Sequence, residues 1–147
     1  MKKYILAAVL SVALSAASTP AIAVQSAVPQ PAKPAEIERI TVEELKSKIE
    51  KNEPVTIIDA RSKSAYGSSD KKIKGAIRIA EENVAARSKE IPRDKEAVIY
   101  CACPDDGTSV RVARQLLELG FKQARALKGG WNAWLQAKGP VESKPKL

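Results

Sequence analysis

Both cysteines of the chain lie in one short stretch, together with two acidic residues and two hydroxyl residues. The stretch, Tyr100-Cys101-Ala102-Cys103-Pro104-Asp105-Asp106-Gly107-Thr108-Ser109, joins an apolar run to an amphipathic run, which predicts a strand, a loop and a helix. A thiolate just before a helix N-terminus meets unpaired backbone N–H groups and the positive end of the helix dipole. Because that setting lowers a cysteine pKa, the pattern predicts a cysteine nucleophile.

The residue types also exclude several kinds of site. The chain has no histidine, which rules out Ser-His-Asp and Cys-His catalysis and most zinc sites. We therefore predict no metal and no cofactor. A phosphatase or arsenate reductase needs an arginine about six residues after its cysteine to hold the oxyanion, but Gly107 and Ser109 occupy those positions after Cys101 and Cys103.

The N-terminal residues have the pattern of a bacterial export signal. Two lysines, Lys2 and Lys3, precede the apolar run Tyr4–Leu14, which is too short to span a bilayer, and Ala21-Ile22-Ala23 is typical of a cleavage site. We expect a periplasmic or secreted protein that is not inserted in the membrane once the signal is cleaved. The predicted organisation is a signal peptide at residues 1–23, a Pro/Ala-rich linker at 24–35, one domain at 36–142 and a charged tail at 143–147.

The charge pattern gives little sign of a macromolecular partner. The net charge is +8 at pH 7, but the basic residues are scattered and no aromatic residues alternate with them. This distribution disfavours nucleic-acid binding, and we expect a monomer.

Strand and helix patterns alternate along the predicted domain. The capping box Thr41-Val42-Glu43-Glu44 begins a helix that runs to Lys51, and the β-branched run Val55–Asp59 predicts a buried strand. The later predicted elements are a helical turn at 63–66, a turn and a short strand at 74–79, a helix at 81–88, a strand at 97–100, a helix capped by Thr108 or Ser109 and closed by Gly120, a strand at 123–127 and a helix at 131–137. This order predicts an α/β fold with a parallel sheet, whose ligands bind at the carboxyl ends of the strands.

Four stretches occur in the order of known family signatures. They are Ile57–Arg61 followed by Ile73–Ile77, Tyr100-Cys101 before the loop, Leu127-Lys128-Gly129-Gly130-Trp131 with Trp134, and Gly139–Glu142. Together they resemble the single-domain rhodanese family of sulfurtransferases, across about residues 38–142. The resemblance implies a parallel sheet of about five short strands with helices on both faces. It also implies transfer of sulfane sulfur from a small donor such as thiosulfate to a thiol or cyanide acceptor, through a cysteine persulfide.

The resemblance assigns roles to individual residues. Cys101 ends the strand and takes the nucleophile position, with Cys103 as the alternate, since Ser109 follows Cys103 at the family's common six-residue spacing. The substrate-binding loop then comprises Ala102, Cys103, Pro104, Asp105, Asp106, Gly107, Thr108 and Ser109.

Two residues outside the loop complete the predicted site. Arg61 is a candidate anion-binding residue, unless it pairs with an aspartate, and Asp59 is expected to be structural. Two other functions stay open: a catalytically weak binding module on the same fold, and a thiol–disulfide redox protein that uses Cys101 and Cys103 together.

Overall fold

A five-stranded parallel sheet forms the centre of the computed structural model, which describes residues 36–145. Its strands are β1 (Arg39–Ile40), β2 (Val55–Asp59), β4 (Ile77–Arg78), β5 (Glu96–Tyr100) and β6 (Ala124–Leu127), in the order β1-β6-β5-β2-β4. Strands β2 and β5 pair along their full length, from Val55 opposite Glu96 to Asp59 opposite Tyr100. The α/β class and the parallel sheet expected from the sequence are confirmed.

Five α-helices within residues 36–145 cover the sheet. They are α1 (Val42–Glu50), α2 (Lys63–Gly67), α3 (Val84–Arg87), α4 (Gly107–Glu118) and α5 (Gly130–Gln136). The capping box acts as expected, because the Thr41 hydroxyl accepts a 3.1 Å bond from the Glu44 N–H. The helix expected at 81–88 is instead three short pieces, since one-turn 3₁₀ segments at Glu81–Asn83 and Ser88–Glu90 flank α3.

Alternation along the central strands divides the buried side chains into two clusters. Ile58 and Ile99 pack with α3 and α4, whereas Ile57 and Val98 pack with α1 and α5. Successive residues of a strand point to opposite faces, so a strand covered on both faces is apolar throughout. This is why Val55–Ile58 and Ala97–Tyr100 are nearly continuous apolar runs.

A second, two-stranded antiparallel sheet pairs β3 (Lys71–Ile73) with β7 (Val141–Ser143). The sequence pattern predicted neither strand, because both are short and mostly polar. The ribbon continues into the expected charged tail, where the Lys144 N–H donates a 2.8 Å bond to the Asp70 carbonyl. Ser143 and Lys144 therefore belong to the folded domain, which extends beyond the predicted boundary at Glu142.

The expected signal peptide at 1–23 and linker at 24–35 lie outside the described residues, as do Lys146 and Leu147. Between residues 36 and 145, every helix is too short or too polar to cross a lipid bilayer.

Candidate active site at the cysteine loop

Strand β5 delivers Cys101 to the carboxyl edge of the sheet, and α4 begins six residues later at Gly107. The prediction that Thr108 or Ser109 caps this helix is wrong, because both residues lie inside its first turn and Asp106 is the N-cap. Asp106 has the left-handed backbone conformation, with φ of 57°, and its carboxylate makes no capping bond to the helix. The Ser109 hydroxyl instead donates a 2.8 Å bond back to the Asp106 carbonyl.

Cys101 lies at the base of the loop with its side chain fully buried. Its Sγ accepts a 3.4 Å bond from the Cys103 N–H and lies 3.7 Å from the Ser109 Oγ. Burial, reinforced by a hydrogen bond with the Cys103 side chain, raises the pKa of Cys101 although backbone N–H donors act to lower it. The expectation that the helix N-terminus would lower the pKa of this thiol is therefore wrong, because desolvation is the larger effect.

Cys103 occupies the more polar position of the pair. It is only partly buried, and its Sγ lies 3.1 Å from the Thr108 Oγ1. Burial acts to raise the pKa of Cys103, but hydrogen bonds to the side chain and backbone of Thr108 and to Cys101 lower it overall. The first turn of α4 thus activates the second cysteine more than the first.

The two loop aspartates have different surroundings. Asp105 is exposed, and its Oδ1 accepts a 3.1 Å bond from the Gly107 N–H. Asp106 is buried, and its Oδ2 accepts a 3.1 Å bond from the Gly129 N–H and lies 3.9 Å from the Arg39 Nε. Asp106 is therefore shielded from solvent and joins the cysteine loop to the turn before α5.

Arg61 is not at the mouth of the loop. It is fully buried and donates to both carboxylate oxygens of Asp59, with a 2.6 Å bond from Nη2 to Oδ2. The same Nη2 donates a 3.0 Å bond to the Lys71 carbonyl. Arg61 therefore pairs with an aspartate, which is the alternative that the sequence left open. The structure does not support an anion-binding role for Arg61.

Asp59 is structural in the way the sequence suggested. Besides Arg61, it accepts a 2.7 Å bond from the Tyr100 hydroxyl, which itself accepts a 3.2 Å bond from the Ile73 N–H. Burial and the Asp59 charge strongly raise the pKa of Tyr100, so this hydroxyl stays protonated. The network joins the residue before Cys101 to the ends of β2 and β3.

The glycine pair before α5 lies directly against Cys101. Gly130 has φ of 49°, and a Cβ built on it would overlap the Cys101 carbonyl oxygen. That carbonyl accepts a 2.8 Å bond from the Trp131 N–H, and the Trp131 ring stacks on Tyr100 at 5.9 Å between centroids. Trp131 therefore supports the main chain of Cys101 by packing and by a backbone hydrogen bond.

Arg111, on α4, is a neighbour of Cys103 that the loop sequence did not single out. Its Nη2 donates a 3.1 Å bond to the Thr108 Oγ1, and its guanidinium pairs with Glu81. The i, i+3 spacing of Thr108 and Arg111 on one helix was the signal available in the sequence. Its ion-pair partner is the Glu81 carboxylate.

A cavity of about 480 Å³ lies at the opposite edge of the sheet. It is lined by charged residues that include Lys48, Glu96 and Arg125. Glu96 pairs with both Lys48 and Arg125, so these charges already satisfy one another. The chemistry-bearing groups are at the cysteine loop, and residues 36–145 contain no cluster suited to a metal ion.

The family model for the rhodanese-like domain matches residues 41–137, which include every residue of the cysteine loop. The chain belongs to the rhodanese-like domain family. It is 32% identical over 111 residues to the putative sulfurtransferase YtwF of Bacillus subtilis, covering 76% of this chain and 98% of that protein. It is 26% identical over 105 residues to a sulfurtransferase of Allochromatium vinosum, covering 71% and 94%.

Solved structures agree with this assignment. The crystal structure of the Alr3790 protein from Anabaena superposes with a TM-score of 0.62 at 31% identity, over 71% of this chain and 82% of that one.

A further relative was found by sequence. The thiosulfate sulfurtransferase GlpE of Coxiella burnetii is 27% identical over 84 residues, which are 57% of this chain and 75% of that protein. The resemblance inferred from the rhodanese signatures is thereby confirmed at the level of the family.

Proposed function

We propose that this rhodanese-like protein is an exported sulfurtransferase that carries sulfane sulfur as a persulfide on Cys101. The observation that supports the proposal best is the position of the Cys101 Sγ, at the end of β5 with the Cys103 N–H donating to it at 3.4 Å. A backbone donor in a buried site stabilises an anion with little reorganisation. The sulfurtransferase names of the relatives agree with this chemistry.

The proposed reaction has two displacements at sulfur. In the first, the Cys101 thiolate attacks the sulfane sulfur of a donor, forming a new S–S bond while the donor's own bond to that sulfur breaks. With thiosulfate the leaving group is sulfite, and with a thiol persulfide it is the thiolate. In the second, an acceptor thiolate or cyanide attacks the outer sulfur, and Cys101 leaves as a thiolate.

The surroundings of Cys101 favour the loaded state. Because burial raises the pKa of the resting thiol, loading requires removal of a proton from Cys101 as the donor arrives. A persulfide is more acidic than the parent thiol, so the carried sulfur is anionic, and the Cys103 N–H that donates to the Cys101 Sγ is a backbone donor beside it.

The charges around the loop affect which sulfur donor it can bind. Arg61 is buried with Asp59, Arg111 is paired with Glu81, and Asp105 is exposed beside Cys103. Neither arginine is therefore free to bind a dianion such as thiosulfate, and the exposed Asp105 carboxylate repels one. We therefore propose thiol persulfides and polysulfides as better donors than thiosulfate.

Intact-mass spectrometry tests the sulfurtransferase proposal directly. The purified protein is incubated with polysulfide or thiosulfate, desalted and weighed, in parallel with Cys101→Ser and Cys103→Ser. We expect an adduct of about 32 Da per sulfur in Cys103→Ser and none in Cys101→Ser. Failure of every donor to load Cys103→Ser would reject the proposal and favour a binding module on the same fold.

Export is tested separately. We propose cleavage after Ala23, so a bacterial host that expresses the full chain should release the protein with its periplasmic fraction, starting at Val24. Edman sequencing of that material measures the start, and Lys2→Glu with Lys3→Glu should reduce export because the positive n-region is removed. Retention of the unprocessed wild-type chain in the cytoplasm would contradict this part of the proposal.

A further inference from the structure

We propose that Cys103 is a resolving cysteine, which attacks the Sγ of persulfidated Cys101, closes a Cys101–Cys103 disulfide and releases the carried sulfur as sulfide. The inference rests on the proposed function, because it needs a persulfide on Cys101. This step releases the carried sulfur without an external acceptor. It gives Cys103 a catalytic role that the transfer of the persulfide sulfur to an acceptor does not require.

The first support is the arrangement of the two thiols. The Cys103 N–H donates to the Cys101 Sγ at 3.4 Å. The main chain of Cys103 therefore already lies against the inner sulfur of the future persulfide, and a rotation of the Cys103 side chain brings its Sγ toward that atom. A nucleophile held on the same short loop as the atom it attacks has the entropic advantage of an intramolecular reaction.

The second support is the difference between the surroundings of the two sulfurs. Cys101 is fully buried, whereas Cys103 is partly exposed and its Sγ lies 3.1 Å from the Thr108 Oγ1. The Arg111 Nη2 donates to that same oxygen at 3.1 Å, which leaves the hydroxyl hydrogen free to point at an ionised Cys103. The lowered pKa of Cys103 agrees with this support for its thiolate, and the thiolate is the attacking form.

The step balances without an added oxidant. The outer sulfur takes up the proton of the Cys103 thiol, and the Cys103 thiolate so formed makes a bond to the Cys101 Sγ. The bond between that Sγ and the outer sulfur breaks, and hydrosulfide leaves with the electron pair. The two cysteine sulfurs are oxidised to the disulfide, and the sulfane sulfur is reduced to sulfide. An external dithiol reductant must then reduce the disulfide to restore both thiols.

The spacing of the cysteines makes the disulfide suited to turnover. A bridge between residues separated by one residue closes a small, strained ring, and strained or exposed disulfides are the readily reduced ones. Cys103 is the partly exposed partner, so an incoming thiolate has access to its sulfur. The disulfide is therefore an intermediate of the reaction and not a structural bridge.

Single-turnover sulfide release tests the inference. Wild type and Cys103→Ser are loaded with polysulfide, freed of small molecules by gel filtration at low pH, and returned to neutral pH without reductant. We expect the wild type to release about one sulfide per loaded chain and to end about 2 Da below the reduced protein. Cys103→Ser is expected to keep its adduct and to release no sulfide.

The outcomes separate the two proposals. An adduct that persists equally in wild type and Cys103→Ser, or that moves to Cys103 without sulfide release, overturns the resolving role while leaving the persulfide on Cys101 intact. Absence of an adduct in Cys103→Ser overturns the proposed function and this inference with it.

Variants at Thr108 test the role of the neighbouring hydroxyl. Thr108→Val keeps the size of the side chain and removes the hydroxyl, and we expect it to slow sulfide release, measured per loaded chain, about tenfold. Thr108→Ser retains the hydroxyl and should restore the rate. Equal rates in the two variants would contradict a hydroxyl that stabilises the attacking thiolate.

Discussion

The carbonyl oxygen of Cys101 accepts a 2.8 Å hydrogen bond from the backbone N–H of Trp131. The two residues come from separate family signatures, and this bond joins the main chain of the proposed nucleophile to the first turn of α5. The Asp106 carboxylate makes a second connection to the same turn through Gly129. The glycine pair is therefore the support on which the cysteine loop rests.

Gly130→Ala should destabilise the domain by about 3 kcal/mol or more, because the new Cβ meets the Cys101 carbonyl in a backbone conformation that already disfavours a side chain. Two other glycine-to-alanine variants, measured by urea unfolding, separate the cost of the contact with Cys101 from the cost of the backbone conformation. Gly75 also has positive φ but has open space, so Gly75→Ala should cost about 1 kcal/mol, and Gly67→Ala, with open space and ordinary φ, should be near neutral. Equal losses for Gly130→Ala and Gly75→Ala would show that the contact with Cys101 is unimportant.

Tyr100→Phe should lower the free energy of unfolding by about 2–4 kcal/mol, because it leaves the Ile73 N–H unpaired and removes a donor from the buried Asp59. Tyr66→Phe is the matched control. The Tyr66 ring faces Arg61 and Lys144, but its hydroxyl makes no hydrogen bond within residues 36–145, so a change within about 0.5 kcal/mol is expected. Similar losses in both variants would argue against a special role for the Tyr100 hydroxyl.

Asp106→Ala and Asp106→Asn should differ clearly. Alanine loses the bond to the Gly129 N–H and tolerates φ of 57° poorly, so we expect a loss of about 2–3 kcal/mol. Asparagine keeps an acceptor and tolerates this backbone conformation, and should cost less than about 1 kcal/mol. Sulfur loading of Cys101 should fall in parallel with stability, and a stable Asp106→Ala variant that loads normally would contradict the anchoring role.

The two thiols should react in a defined order as the pH rises. The pKa of Cys103 is lowered and that of Cys101 is raised, so the Cys103 thiolate is present at lower pH and iodoacetamide should modify Cys103 first. Peptide mapping of briefly alkylated wild-type protein between about pH 6 and pH 9.5 brackets the pKa of an ordinary cysteine and measures this order. Earlier modification of Cys101 would reverse the assignment of the more acidic thiol.

Features encoded by local sequence patterns were predictable. The capping box placed the start of α1, the β-branched run placed β2, and the order of elements gave the parallel sheet with Asp59 and Cys101 at one edge. Each of these depends on residues close together in the chain. They could therefore be inferred before any tertiary contact was known.

Features that depend on distant contacts were not predictable. The β3–β7 ribbon pairs Lys72 with Glu142, and neither strand is long or apolar enough to signal itself. The sequence left the partner of Arg61 open between an anion and Asp59, and the structure resolves that choice through a buried ion pair. The pKa order of the cysteines was also missed, because it depends on how deeply the fold buries Cys101.

The anchoring of Cys101 bears on how this loop can vary between relatives. The Cys101 carbonyl is bound to Trp131 and the end of the loop is held by Asp106, so both ends of the segment between them are fixed independently of its length. Insertions between two fixed ends cost little additional closure entropy. The fold can therefore lengthen or shorten residues 102–105, and so change the surface that an incoming molecule meets, without rebuilding the backbone contacts that hold Cys101.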